Sequence, residues 1–148
     1  MIDSMPPAET ANAERFERFG LRADAGTVAT ARRDFAAWLR NFFALDDERS
    51  SDLVLAINEA LANAAEFAYR LAERPGTIDI CALFDPASQT LTVDITDRGT
   101  WRTPQTDPVP RTRGRGIPLM ETLSDRAIIE PSAKGTHVRL EWHGVTRR

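Results

Sequence analysis

Cysteine is almost missing from this sequence. Cys81 is the only one, so neither an internal disulfide nor a cysteine-rich zinc site can form. It sits in a strand-like apolar run and reads as a small buried hydrophobe. There is no excess of positive charge either: 19 Lys and Arg stand against 22 Asp and Glu. A formal net charge of −3 gives no electrostatic footprint for nucleic acid. No apolar run approaches the ~20 residues that a membrane span needs. No basic-then-apolar segment opens the chain, so no secretory signal is expected. His137 and His143 lack a third candidate ligand and do not suggest a metal site. No Gly-Lys-Ser/Thr occurs, which excludes a Walker-type loop, and the third glycine of a dinucleotide fingerprint is missing. The expectation is a cytoplasmic protein with no direct nucleic-acid or membrane partner.

What is present is an ordinary globular composition, with 42% apolar and 28% charged residues over 148 positions. That is enough chain for one domain with a real core. Residues 1–12, with Pro6 and Pro7 among small polar residues, read as a disordered tail, leaving 13–148 as the domain. Phe16, Phe19 and Leu21 suggest a first strand. From Thr27 to about Phe43 apolar residues recur at three- and four-residue steps (Val28, Ala31, Phe35, Trp38, Leu39, Phe42), the pattern of a helix. A second helix is expected from about Arg49 to Ala72. Its stripe is Leu53, Ile57, Ala60, Ala64, Phe67 and Leu71, the acids Asp46, Asp47 and Glu48 suit its start, and Pro75-Gly76 ends it.

Thr77–Phe84 and Thr90–Thr96 read as strands joined by a turn at Asp85-Pro86-Ala87-Ser88. Residues 100–113 hold three prolines and no apolar periodicity, so a loop is expected there. A short helix over about Ile117–Leu123 and strands at Ala127–Glu130 and His137–Trp142 complete the chain. Trp38 and Trp142 fit core faces, whereas Trp101 falls in the polar loop. Helices followed by consecutive antiparallel-type strands imply an α+β two-layer sandwich, a mixed but mostly antiparallel sheet covered on one face by helices.

Four short features carry the chemistry. Glu59 and Asn63 are one helical turn apart and project from the same face. They read either as a solvated helix edge or as a general base beside an oxygen ligand for a hard cation. Magnesium takes only one or two protein ligands, with phosphate oxygens and water completing its octahedron. Asp97 ends a strand before Gly99. It is either a turn former or a carboxylate that accepts from an adenine amino group, with Gly99 letting the backbone approach the base. Gly114 and Gly116 open a helical run, where side-chain-free positions can admit phosphate to backbone N–H groups. Arg113 and Arg115 flank Gly114 and join the cofactor-binding set, while Arg102 and Arg111 also lie in the loop before it. Gly135-Thr136 precedes the last strand.

In this order and spacing the residues resemble the histidine-kinase-like ATPase superfamily (GHKL, Bergerat fold). Within it the chain is most similar to the anti-sigma-factor serine/threonine kinases of the RsbW type, from Phe16 to Trp142. The densest match is Leu53-Val54-Leu55-Ala56-Ile57-Asn58-Glu59-Ala60-Leu61-Ala62-Asn63-Ala64. The run Gly114-x-Gly116, Leu119-Met120-Glu121, Ser124-Asp125 and Lys134-Gly135-Thr136 follows. The resemblance implies Glu59 as catalytic base, Asn63 as magnesium ligand and Asp97 as adenine reader. It also implies that Gly99, Gly114 and Gly116 shape the pocket and that Thr136 assists at the adenine. The implied activity is ATP- and Mg2+-dependent phosphorylation of a STAS-type anti-sigma factor antagonist, with sequestration of a sigma factor and homodimerisation. Trp101 stands where many members have a second glycine, and Phe67 where related kinases often have histidine. The reading from a different class is a non-catalytic module that uses the same fold to hold a sigma factor or another regulator.

Overall fold

The computed structural model describes residues 9–71, 76–98, 118–132 and 135–148. Two strands open it, β1 (Glu9–Asn12) and β2 (Arg15–Arg22). Helix α1 (Ala25–Phe42), strand β3 (Phe43–Ala44) and helix α2 (Asp47–Leu71) follow. Then come β4 (Thr77–Asp85), β5 (Thr90–Arg98), a short helix over 118–123, β6 (Arg126–Ser132), β7 (Gly135–Trp142) and β8 (Thr146–Arg147). Six strands form one sheet in the order β1-β2-β4-β5-β7-β6, and every described pairing in it is antiparallel. β3 and β8 make a separate small ladder. Helices on a mostly antiparallel sheet are the α+β two-layer arrangement that the element pattern implies.

Both helices start on aspartate caps. The Thr27 N–H donates to Asp24 Oδ1 at 2.8 Å, and the Arg49 N–H to Asp46 Oδ1 at 2.7 Å. Each bond satisfies one of the first-turn donors that a helix cannot pair internally. α1 therefore begins two residues before the position its apolar period marks, because the cap rather than the first apolar residue sets the start.

The core lies between the helices and one face of the sheet. Val28, Ala31, Phe35, Trp38 and Leu39 of α1 are buried, as are Leu53, Ala56, Ile57, Ala60, Leu61 and Ala64 of α2. On the sheet they meet Ile78, Ile80, Ala82 and Phe84 of β4 and Leu91, Val93 and Ile95 of β5, each set at the two-residue period of a strand. Phe16, Phe35, Trp38, Phe43 and Phe84 form a chain of ring contacts with centroids 4.9 to 5.6 Å apart, several of them edge to face.

Two expectations change. The stretch 1–12 was to be a tail, but its end, Glu9–Asn12, pairs with β2. The Trp38 indole N–H donates to the Asn12 carbonyl at 2.7 Å, so an aromatic in α1 pins the strand that composition alone marks as polar tail. Cys81 is half-buried, not a core hydrophobe. It faces the side of the sheet away from the helices, where its Sγ lies 3.6 Å from a Glu17 carboxylate oxygen. Phe19 is largely exposed because β2 shifts register between Arg18 and Leu21, around Gly20 at φ 69°. The residues expected in the 100–113 loop, Trp101 among them, lie outside the described residues, as does the Phe67 side chain. Among the described residues no helix is long and apolar enough to cross a membrane.

Candidate functional site

On β5 the inward positions run Leu91, Val93, Ile95, and the same period carries Asp97 to the helix-facing side. On β7 the inward set is Thr136, Val138, Leu140 and Trp142. The β5–β7 register pairs Thr96 with His137, so the next step along each strand brings Asp97 beside Thr136. α2 crosses above them and presents Asn63. An aspartate, a threonine and an asparagine thus occupy positions that an apolar residue fills everywhere else along these rows.

All three are buried: Asp97 is 2% exposed, Thr136 3% and Asn63 8%. A buried carboxylate is costly unless hydrogen bonds hold it, and Asp97 Oδ1 accepts from the Thr136 backbone N–H at 3.2 Å. The Thr136 hydroxyl is different. Its Oγ1 is buried and has no partner among the described residues, a state that native interiors avoid and that calls for an explanation. The Asn63 amide also has no hydrogen-bond partner among the described residues.

These groups line one recess. Its other walls are Ala60 and Ala64 of α2, Ile95 of β5, Met120 of the short helix, Ile129 of β6 and Val138 of β7. The walls are mostly apolar, and Asp97, Thr136 and Asn63 are the polar groups among them. The recess holds about 10 Å³, room for roughly one water. It is a mostly apolar recess with three polar groups in its lining, too small by itself to contain an organic ligand. A cleft of about 720 Å³ lies on the other side of the sheet between Arg15, Leu83, Asp94 and Arg139 and includes none of the expected site residues.

Glu59 stands one turn before Asn63 on α2, ~6 Å along the axis. It is partly exposed, makes no hydrogen bond or ion pair among the described residues, and does not line the recess. A carboxylate left unengaged outside an apolar floor can act on a group at the mouth of a site. Gly99, Arg113, Gly114, Arg115 and Gly116 lie outside the described residues, so the structure brings together Asn63, Asp97 and Thr136 of the expected set, with Glu59 nearby. Sequence reasoning missed the apolar lining residues Met120, Ile129 and Val138. Their signal was present only in part: Met120 follows the glycine pair, but nothing local aims β6 and β7 side chains at the same recess.

The family described as histidine kinase-like ATPase domain matches residues 21–142. Among solved structures, the RsbU and RsbW domains of Rv1364c from Mycobacterium tuberculosis superpose with a TM-score of 0.65 at 24% identity. That match covers 90% of this chain and 33% of the mycobacterial one. The histidine kinase domain of a blue-light activated histidine kinase from Erythrobacter litoralis gives a TM-score of 0.50 at 17% identity, over 65% of this chain and 45% of that one. The chain spans about a third of the first structure and under half of the second, and at these identities the likeness is one of fold.

Proposed function

The chain belongs to the histidine kinase-like ATPase domain family, and on that footing we propose that it is an ATP-dependent serine/threonine protein kinase acting as an anti-sigma factor. Its substrate in this reading is a STAS-type anti-sigma factor antagonist, and its second partner is a sigma factor that it sequesters as a homodimer. Residues 13–148 are assigned to the ATPase domain, and Glu9–Asn12 adds an edge strand to its sheet. The observation that carries the nucleotide part is the buried, unpartnered Thr136 hydroxyl beside the Asp97 carboxylate on an apolar floor. An adenine edge offers the donor that Asp97 accepts and a ring acceptor for the Thr136 O–H. The regulatory part rests on the motif resemblance and on the RsbW domain sharing this fold.

The donor set fits the cofactors. Asn63 offers an oxygen suited to Mg2+, which takes few protein ligands when phosphates supply the rest. Bound Mg2+ supplies neutralisation of phosphate charge. Glu59 is the proposed general base, taking the proton from the attacking serine hydroxyl. Gly99, Gly114 and Gly116 are assigned to the pocket by the motif alone, and Arg113 and Arg115 belong to the proposed cofactor-binding set.

The test is incubation of the purified protein with γ-labelled ATP, magnesium and candidate antagonists. Label on an antagonist serine is the expected result. Glu59→Gln keeps size and hydrogen bonding but removes the proton acceptor, so transfer should fall by roughly 10²–10⁴-fold with ATP binding retained. A protein that binds ATP and a partner but transfers no phosphate in either form refutes the kinase and leaves a regulatory binding module.

A further inference from the structure

The short 118–123 helix is held at its C-terminal end by residues remote from the recess. The Trp142 indole N–H donates to the Leu123 carbonyl at 2.9 Å. Trp142 is itself buried, so its polar atom is committed to that helix end. Ser124 closes the last turn, its hydroxyl donating to the Met120 carbonyl at 2.7 Å. Immediately beyond, Asp125 Oδ2 accepts from the His143 N–H at 2.7 Å and from Arg49 at 3.2 Å, and Arg49 also donates to the His143 carbonyl. The Asp125 N–H donates in turn to the Glu141 carbonyl at 2.9 Å.

Arg49 belongs to the first turn of α2, and the same helix presents Ala60, Asn63 and Ala64 to the recess. The short helix presents Met120 to that recess from the other side. One side chain therefore ties together the helix that supplies the amide and the helix that supplies the opposing wall. The tie sits ~21 Å along α2 from Asn63, by the rise of 1.5 Å per residue. An isolated surface ion pair contributes little to stability. This one differs because its guanidinium joins three chain segments and the adjoining carbonyl is capped from the core.

We infer that Arg49 and Trp142 are positioning residues for the nucleotide recess. They set the place of the 118–123 helix, and with it Met120, relative to Asn63, Asp97 and Thr136. The inference rests on the nucleotide reading above and goes beyond it, because neither residue touches the recess. Their effect falls on nucleotide affinity rather than on the transfer step.

The experiment is titration of ATP with magnesium into the unmodified protein and into Arg49→Gln, Trp142→Phe and Arg147→Gln. All are measured at a temperature where melting curves show them folded. Arg147→Gln is the control: it breaks the Arg147–Glu14 pair of similar length, 3.4 Å, far from the recess. Arg49→Gln and Trp142→Phe should each raise the ATP dissociation constant by roughly 2- to 30-fold, the range of coupling measured along such packed networks. Arg49→Lys, which keeps the charge and one donor direction, should recover part of the loss. Asp125→Asn added to Arg49→Gln should cost little more, because the two act as one tie. The control should bind as the unmodified protein does. If the unmodified protein binds ATP and Arg49→Gln binds it equally well, the positioning role is overturned and the nucleotide reading stands. If the unmodified protein binds no ATP, both fall.

Discussion

Gly135 is packed directly against Asp97. A Cβ added to Gly135 would lie 2.0 Å from the Asp97 carbonyl oxygen and 2.8 Å from its Oδ1, and the glycine holds φ at 143°. No side chain fits there, and the backbone conformation is one that other residues rarely adopt. The contact brings the Thr136 N–H within reach of the carboxylate and so places the acid at the floor of the recess. Gly135→Ala must push β7 away from β5. It is expected to cost on the order of 2–4 kcal/mol in urea denaturation and to abolish ATP binding in whatever fraction remains folded.

Asp97→Asn replaces an acceptor-only carboxylate by an amide that presents its own donor. ATP affinity should fall while the discrimination between ATP and GTP narrows, read by competition with a fluorescent nucleotide. Equal binding of ATP and GTP to the unmodified chain would remove the adenine-reading role.

Thr136→Val keeps the shape of the side chain and removes the hydroxyl that has no partner. Burying an unpaired hydroxyl costs about 1–3 kcal/mol. The variant should be at least as stable as the unmodified protein without ligand, yet bind ATP more weakly. Opposite signs for stability and affinity are the signature of a polar group held for a ligand. A variant less stable in the absence of nucleotide would show the hydroxyl to be structural.

Cys81 should be slow to react. Burial, and then the neighbouring Glu17 carboxylate, push its thiol from 9.0 up to about 11. The thiolate is the nucleophile, and its share at pH 8 falls with that rise. Alkylation at pH 8 should therefore be ~100-fold slower in the folded chain than in urea. Iodoacetamide labelling followed by mass spectrometry measures the ratio. Equal rates in the two states would contradict the placement of Cys81 beside Glu17.

The Asp24 cap gives a pH dependence with a definite sign. Its carboxyl is held below 3.8, first by the Thr27 backbone N–H and then by the Thr27 side chain, with a contribution from Arg22. A carboxyl whose pKa is lower folded than unfolded contributes stability that is fully present above 3.8 and lost as pH falls through the folded value. Asp24→Asn retains a capping oxygen but does not titrate. The melting temperature of the unmodified protein should therefore drop more steeply than that of the variant between pH 4 and pH 2, as followed by circular dichroism.

The sequence by itself determined the two long helices, the strands β2, β4, β5, β6 and β7, and the inward faces of α2, β4 and β5. These follow from short-range periodicity: the α2 stripe and the β4 and β5 alternations are legible because burial on one face requires apolar residues at a fixed step. The same alternation already assigns Asp97 to the inner face, and the helical step sets Glu59 and Asn63 on one side of α2. Tertiary structure alone decided what those inward polar residues meet. The meeting of Asp97 with Thr136 depends on β5–β7 register, and that register depends on Gly135 allowing the strands to close. The share of Met120 in the recess depends on a tie between Arg49, Asp125 and His143 that spans positions 49 to 143. The strand at Glu9–Asn12 was hidden for the same reason: its composition is that of a tail, and only the indole of Trp38 and the edge of β2 hold it. Local patterns record which face a residue turns inward. They carry no record of the partner across the gap, because that pairing is set by packing between segments distant in the chain.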